Sequence, residues 1–127
     1  MNGFSGLVFS DTPENYVKKD DKLVYVPDGL GKTTLLNYLF EALNFPSYFG
    51  NNWDALYDCL SAMYWIAEPR VILIHSGLPN LDRENLTTYL NILNEIALFE
   101  KDANTEYIYP KLAAVFPYKS RNIELLS

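Results

Sequence analysis

The chain has 127 residues, with ten Lys and Arg against sixteen Asp and Glu and a formal net charge of −6. At about 100–200 residues per domain the length predicts one domain over 1–127. The composition, 49% apolar and 15% aromatic, is that of a folded chain. The acidic balance argues against a protein that grips nucleic acid or docks on anionic membranes, both of which call for a basic face.

In chain order, Leu7-Val8-Phe9 is readable as a short edge strand, and residues 11–22 are polar and read as a surface loop. Leu23-Val24-Tyr25-Val26 is a β-rich run closed by the turn signal Pro27-Asp28-Gly29. Thr33 or Thr34 is placed to cap a helix through about Leu43, whose Leu35, Leu36, Leu39, Phe40 and Leu43 recur at helical period. A second helix is expected over 53–66, capped by Asn51 or Asn52 and followed by Pro69. Val71-Ile72-Leu73-Ile74 has the continuous apolar character of a buried parallel strand. A long helix fits 83–99, with Asp82 near its start, and Leu112 to Phe116 completes a third strand. Strands separated by helices predict an α/β fold, a small parallel sheet packed with helices.

The lone Cys59 excludes an intramolecular disulfide and suits a reducing, cytoplasmic setting. One Cys and one His cannot build the usual zinc site, so neither metal nor cofactor is expected. No apolar run reaches about 18 residues, and Met1–Ser10 lacks the pattern of a secretory signal. His75, at a strand end, reads as structural or solvated.

Asp28-Gly29-Leu30-Gly31-Lys32-Thr33-Thr34 resembles a phosphate-binding loop at first sight. Such a loop needs a further Gly where Val26 stands, so that backbone amides wrap the phosphates. Pro27 also removes a donor. The stretch reads as a strand-to-helix turn.

No Lys or Arg lies between Lys32 and Arg70, an interval that holds Glu41, Asp54, Asp58 and Glu68. At 100° per residue, Trp53, Ala55, Leu56, Cys59, Leu60, Met63 and Ile66 fall on the core half of the second helix. The opposite half carries Asp54, Tyr57, Asp58, Ser61 and Trp65. Asp54 and Asp58, four apart, repel by a few tenths of a kcal/mol in an isolated helix. Two acids on a solvated face are ordinary, and Tyr48 and Phe49 read equally as core aromatics. Paired acids beside aromatics without local cations also fit an interface with a cationic partner.

The segment Tyr48-Phe49-Gly50-Asn51-Asn52-Trp53-Asp54-Ala55-Leu56-Tyr57-Asp58-Cys59-Leu60 resembles the signature of the barstar family, intracellular inhibitors of the ribonuclease barnase. The order of elements over residues 22–117 agrees with it. The resemblance implies a small three-stranded parallel sheet packed with helices, with 1–21 as an N-terminal extension and 118–127 as a C-terminal tail. It implies a loop and helix that plug the active site of a cationic ribonuclease or nuclease toxin domain, the chain acting as its immunity protein or antitoxin rather than as an enzyme. Asp58 matches the carboxylate that takes the place of an RNA phosphate, and Asp54 a second acidic contact. Tyr48 matches an aromatic that packs on a catalytic His, and Gly50 and Asn52 match loop contacts. Tyr57 stands where an interface Trp is usual, Trp65 matches a further aromatic, and Glu95 matches an acid on the last helix. Asn51 departs from an acid and Phe49 from a Tyr. Two other readings are a barstar-like domain for a non-ribonuclease partner, and a small enzyme using Asp54 and Asp58 as an acid–base pair. The second lacks an enclosed pocket to split the two pKa values.

Overall fold

A computed structural model describes residues 4–47, 50–99 and 110–126, with backbone alone for 123–126. The elements are β1 (Val8–Phe9), β2 (Lys22–Val26), α1 (Lys32–Ala42), α2 (Trp53–Ala62), β3 (Arg70–His75), α3 (Arg83–Leu98) and β4 (Lys111–Phe116), with short 3-10 segments at Pro13–Tyr16 and Tyr118–Leu126. The strands form one sheet in the order β1-β4-β3-β2, with every pairing parallel. The sheet therefore has four strands where three were expected. The fourth is β1, which adds Val8 and Phe9 beside Val115 and Phe116 of β4.

Alternation along the strands assigns the two faces. Val24, Val26, Val71, Leu73, Leu112, Ala114 and Phe116 point into one core shared with α1, α2 and α3. Ile72, Ile74 and Val115 point the other way and pack with Val8, Ala113 and Val17. The segment between β1 and β2, expected as a plain surface loop, thus lays Val17 against this second face. It is pinned there by Arg70, whose guanidinium bonds both carboxylate oxygens of Asp21, at 3.0 and 2.6 Å, and the carbonyl of Tyr16. That contact holds the Asp21 carboxyl below its ordinary range against the opposing effect of burial. Phe4 and Leu7 also enter the main core. The chain reaches β1 by passing close to α3: the Gly6 N–H bonds Asn94 Oδ1 at 2.6 Å, and a Cβ on Gly6 would lie 2.8 Å from the Asn94 carbonyl.

Both sheet edges are blunted against further pairing. β1 has two residues, and on β2 the Tyr38 hydroxyl donates to the carbonyl of Tyr25. Among the described residues no helix is long and apolar enough to cross a membrane, and no cluster of His, Cys, Asp and Glu could hold a metal ion.

Two helix boundaries differ from expectation. α1 starts at Lys32 with Gly31 as its N-cap, and neither Thr33 nor Thr34 caps it. The turn sets that start: Gly29 takes φ +78° and donates its N–H to Leu78 O, while Asp28 N–H goes to Ser76 Oγ. α2 ends at Ala62, four residues early, because Met63 adopts the left-handed conformation with φ 46°.

Candidate functional site

α2 begins at Trp53 because Asn52, in extended backbone, accepts the Ala55 N–H on its side-chain oxygen at 2.8 Å. This satisfies one of the free first-turn donors. Asp54 in that turn adds a favourable charge at the positive end of the helix dipole. Ala55, Leu56, Cys59 and Leu60 are buried, while Asp54, Asp58 and Ser61 are exposed. The helical phase read from the sequence therefore holds through Ala62. Among the described residues neither Asp54 nor Asp58 has a hydrogen-bond or ion-pair partner. Two unneutralised carboxylates stand one helical turn apart, facing solvent.

Beside them α2 meets α3. The Tyr57 hydroxyl donates to Glu95 Oε1 at 3.3 Å, joining two residues 38 positions apart, and Ser61 Oγ donates to the Tyr57 carbonyl. Burial, and then the charge of Glu95, push the Tyr57 phenol up, so it stays protonated and donating. Tyr57, Ser61, Glu95, Ile96 and Phe99 line a cleft of about 70 Å³. Neither aspartate lines it.

The loop before α2 is tied to both neighbouring helices. Asn51 Nδ2 donates to Asn37 Oδ1 on α1. Gly50 is exposed, and a Cβ there would sit 3.1 Å from Asn52 Nδ2. Trp53 donates its indole N–H to Asn85 Oδ1 of α3 at 2.8 Å, lies 5.9 Å from the ring of Tyr89, and carries Lys32 Nζ 5.6 Å above it. Asn37 and Asn85 escaped sequence reasoning, and no spacing could have flagged them, because each meets its partner only through the tertiary fold.

The predicted site residues divide accordingly. Gly50, Asn52, Asp54, Tyr57, Asp58 and Glu95 come together on the α2 face and its approach. Tyr48 lies outside the described residues. Trp65 is not on the outer face of α2, since the helix has ended three residues before it. Its indole donates to Leu43 O at 2.8 Å and its ring stands edge-on to Phe45.

His75 is structural. It is buried, stacks on Phe116, and uses both ring nitrogens: Nδ1–H donates to Val115 O and Nε2 accepts from the Tyr89 hydroxyl. The glycine turn has likewise committed the amides of Asp28 and Gly29 within the protein, and Pro27 has none to offer.

No curated protein and no solved structure matches the chain. A protein-family model does, over residues 28–109, a span that takes in α1, the loop, all of α2, β3 and α3. With that match over more than half its length, the chain belongs to the family described as Barstar (barnase inhibitor).

Proposed function

We propose that the protein inhibits a cationic ribonuclease, or the nuclease domain of a toxin, by covering its active site with α2 and the loop before it. The observation that carries this reading is the pair Asp54 and Asp58. Both are exposed and lack partners among the described residues, on a helix whose phase is fixed by four buried residues, in a chain of the barnase-inhibitor family.

A ribonuclease holds RNA phosphates with cationic side chains. A carboxylate presented on a preformed helix supplies the same negative oxygens without a scissile bond. Asp58 takes the phosphate position and Asp54 pairs with a neighbouring cation. Tyr57 and Glu95 extend the contact across the α2–α3 seam, and Tyr48, Gly50 and Asn52 supply the approach from the loop. Trp65, at the far end, adds its half-buried ring at the margin. The net charge of −6 steers a cationic enzyme toward this face and speeds association. In this role the chain acts in the cytoplasm as an immunity protein, takes no cofactor, and binds protein rather than RNA.

The test is inhibition of ribonuclease activity by the wild-type chain and by Asp58→Ala, with barnase and the product of the neighbouring gene as targets. Removing one side of a desolvated charge pair costs about 2–5 kcal/mol, or roughly 30-fold to several-thousand-fold in affinity. Asp54→Ala acts in the same direction and more weakly, and added salt slows association. A folded Asp58→Ala that inhibits as well as wild type sinks the proposed interface. Wild type that binds a protein without nuclease activity establishes a barstar-like domain for another partner.

A further inference from the structure

The geometry points to Asn85 as a positioning residue for the recognition helix: through Trp53 it sets the rotation at which α2 presents Asp54 and Asp58. The inference rests on α2 being the element that meets the ribonuclease.

α2 has ten residues, about 15 Å of helix. Its buried side chains fix which face meets the core. Directional bonds to its neighbours trim the rotation that this packing allows. Trp53 supplies one of these to α3, and it immediately precedes Asp54. Its indole N–H meets Asn85 Oδ1 at 2.8 Å in a partly buried position. A further bond between the two helices, Tyr57 to Glu95, is longer at 3.3 Å and exposed to water. Asn85 is itself fixed, because its backbone N–H bonds the Asp82 side chain at 2.8 Å as part of the α3 cap. The Trp53 ring is flanked by Tyr89 of α3 and by the Lys32 ammonium of α1. A rigid two-torsion side chain thus links the start of α2 to the well-anchored start of α3.

A modest slip would matter. With side chains reaching about 6 Å from the helix axis, a rotation of about 20° carries the Asp58 carboxylate sideways by about 2 Å. Charge-assisted hydrogen bonds keep their strength over only a few tenths of an ångström. Asn85 therefore governs binding without touching the partner and without contributing charge.

The experiment uses the full chain and three variants: Asn85→Ala, which removes the acceptor; Asn85→Asp, which keeps one; and Trp53→Phe, which keeps the ring and removes the N–H. Residual dipolar couplings of the α2 amides are read against those of β3 and α1. We expect the α2 couplings to leave the wild-type frame in Asn85→Ala and Trp53→Phe and to stay within it in Asn85→Asp. Unchanged α2 couplings in both Asn85→Ala and Trp53→Phe overturn the inference. If Asn85→Ala fails to fold, Trp53→Phe and Asn85→Asp test the same bond from its two sides. With barnase as the binding probe, Asn85→Ala weakens affinity on the order of tenfold, as for one partly buried hydrogen bond. In an Asp58→Ala background that factor falls toward one, because a positioning residue acts through the group it positions. An equal loss in both backgrounds marks Asn85 as merely structural and overturns the inference. If wild type does not bind barnase, or Asp58→Ala binds it unchanged, the ribonuclease reading for that enzyme fails, and the couplings alone decide the role of Asn85.

Discussion

His75 makes the stability of this fold depend on pH in a window of its own. It is the single histidine of the chain and is almost fully buried. Burial disfavours its charged form and lowers its pKa from 6.5 to about 4, against a smaller opposing effect of the Val115 carbonyl. The folded pKa lies below the unfolded one, so the unfolded chain takes up the proton first. Stability is therefore complete above pH 6.5, falls as the pH drops toward 4, and loses nothing further from this group below that. The difference of about 2.5 units is worth about 3 kcal/mol at 1.36 kcal/mol per unit. The Asp21–Arg70 pair adds a loss in the same direction, but only as the pH falls below the ordinary aspartate value of 3.8, so the two windows separate. The assay is denaturant unfolding at half-unit steps from pH 7 to 4.5, on wild type and on His75→Gln, which keeps an amide donor and acceptor. Wild type should lose stability at a slope approaching 1.4 kcal/mol per pH unit, while the variant, weaker at neutral pH, should stay nearly flat. Equal slopes for the two proteins would refute the assignment of a neutral, buried imidazole.

Three further outcomes follow from the site itself. Replacing Asp58 by Ala should change folding stability by no more than about 0.5 kcal/mol, toward stabilisation, since it relieves a like-charge pair one turn apart, whereas Asp54→Ala also gives up a favourable charge at the helix start and should be near neutral; a loss above about 1 kcal/mol for Asp58→Ala in denaturant unfolding would mean that the carboxylate holds the fold together. Cys59 has no exposed surface, and burial raises its thiol pKa to about 11, so at pH 8 about one molecule in a thousand carries the reactive thiolate; thiol labelling of native protein should be slow, and rapid labelling without denaturant would contradict the packing of α2. ATP should show no saturable binding by calorimetry, because the amides of Asp28 and Gly29 are already bonded to Ser76 and Leu78 and Pro27 has none; micromolar affinity lost in Lys32→Ala would revive a phosphate-binding loop.

Much of the fold is legible in the sequence for a simple reason. β3 is buried on both faces and so reads as an unbroken apolar run, and α3 carries its own start signal in Asp82, whose carboxylate accepts the Asn85 N–H at 2.8 Å. Such signals are local, and local physics sets them. The misreadings arose where a nonlocal or backbone factor decided. Thr33 has the chemistry of a cap, but the hydrogen bonds of the turn to the 76–78 segment pull the helix start back to Gly31. The apolar rhythm runs on to Ile66, and Ile66 is indeed buried, yet Met63 had already turned the chain out of the helix. Periodicity reports which side of a segment faces the core and is silent on where the backbone stops repeating. The strand β1 is visible as Leu7-Val8-Phe9, but a two-residue strand has no pattern long enough to announce that it pairs with β4.

The site divides along the same line. Its acidic face could be read directly, because Asp54 and Asp58 alternate with buried positions at helical spacing. What holds that face could not be, because each tie spans a long stretch of chain: Asn51 to Asn37, Trp53 to Asn85, Tyr57 to Glu95. Trp53 shows why this matters for mechanism. Read by phase alone it is one more core residue, and in the fold it is half-buried, with its polar atom committed to α3. Tyr89, against which it packs, also donates to the buried His75. A continuous set of contacts thus runs from the end of β3 through α3 to the first turn of α2. An acidic plug gains affinity from being held rigid before its partner arrives, because the ordering cost is then borne in folding rather than in binding. In the proposed role the carboxylates supply the attraction, and the uncharged residues beneath them supply the aim.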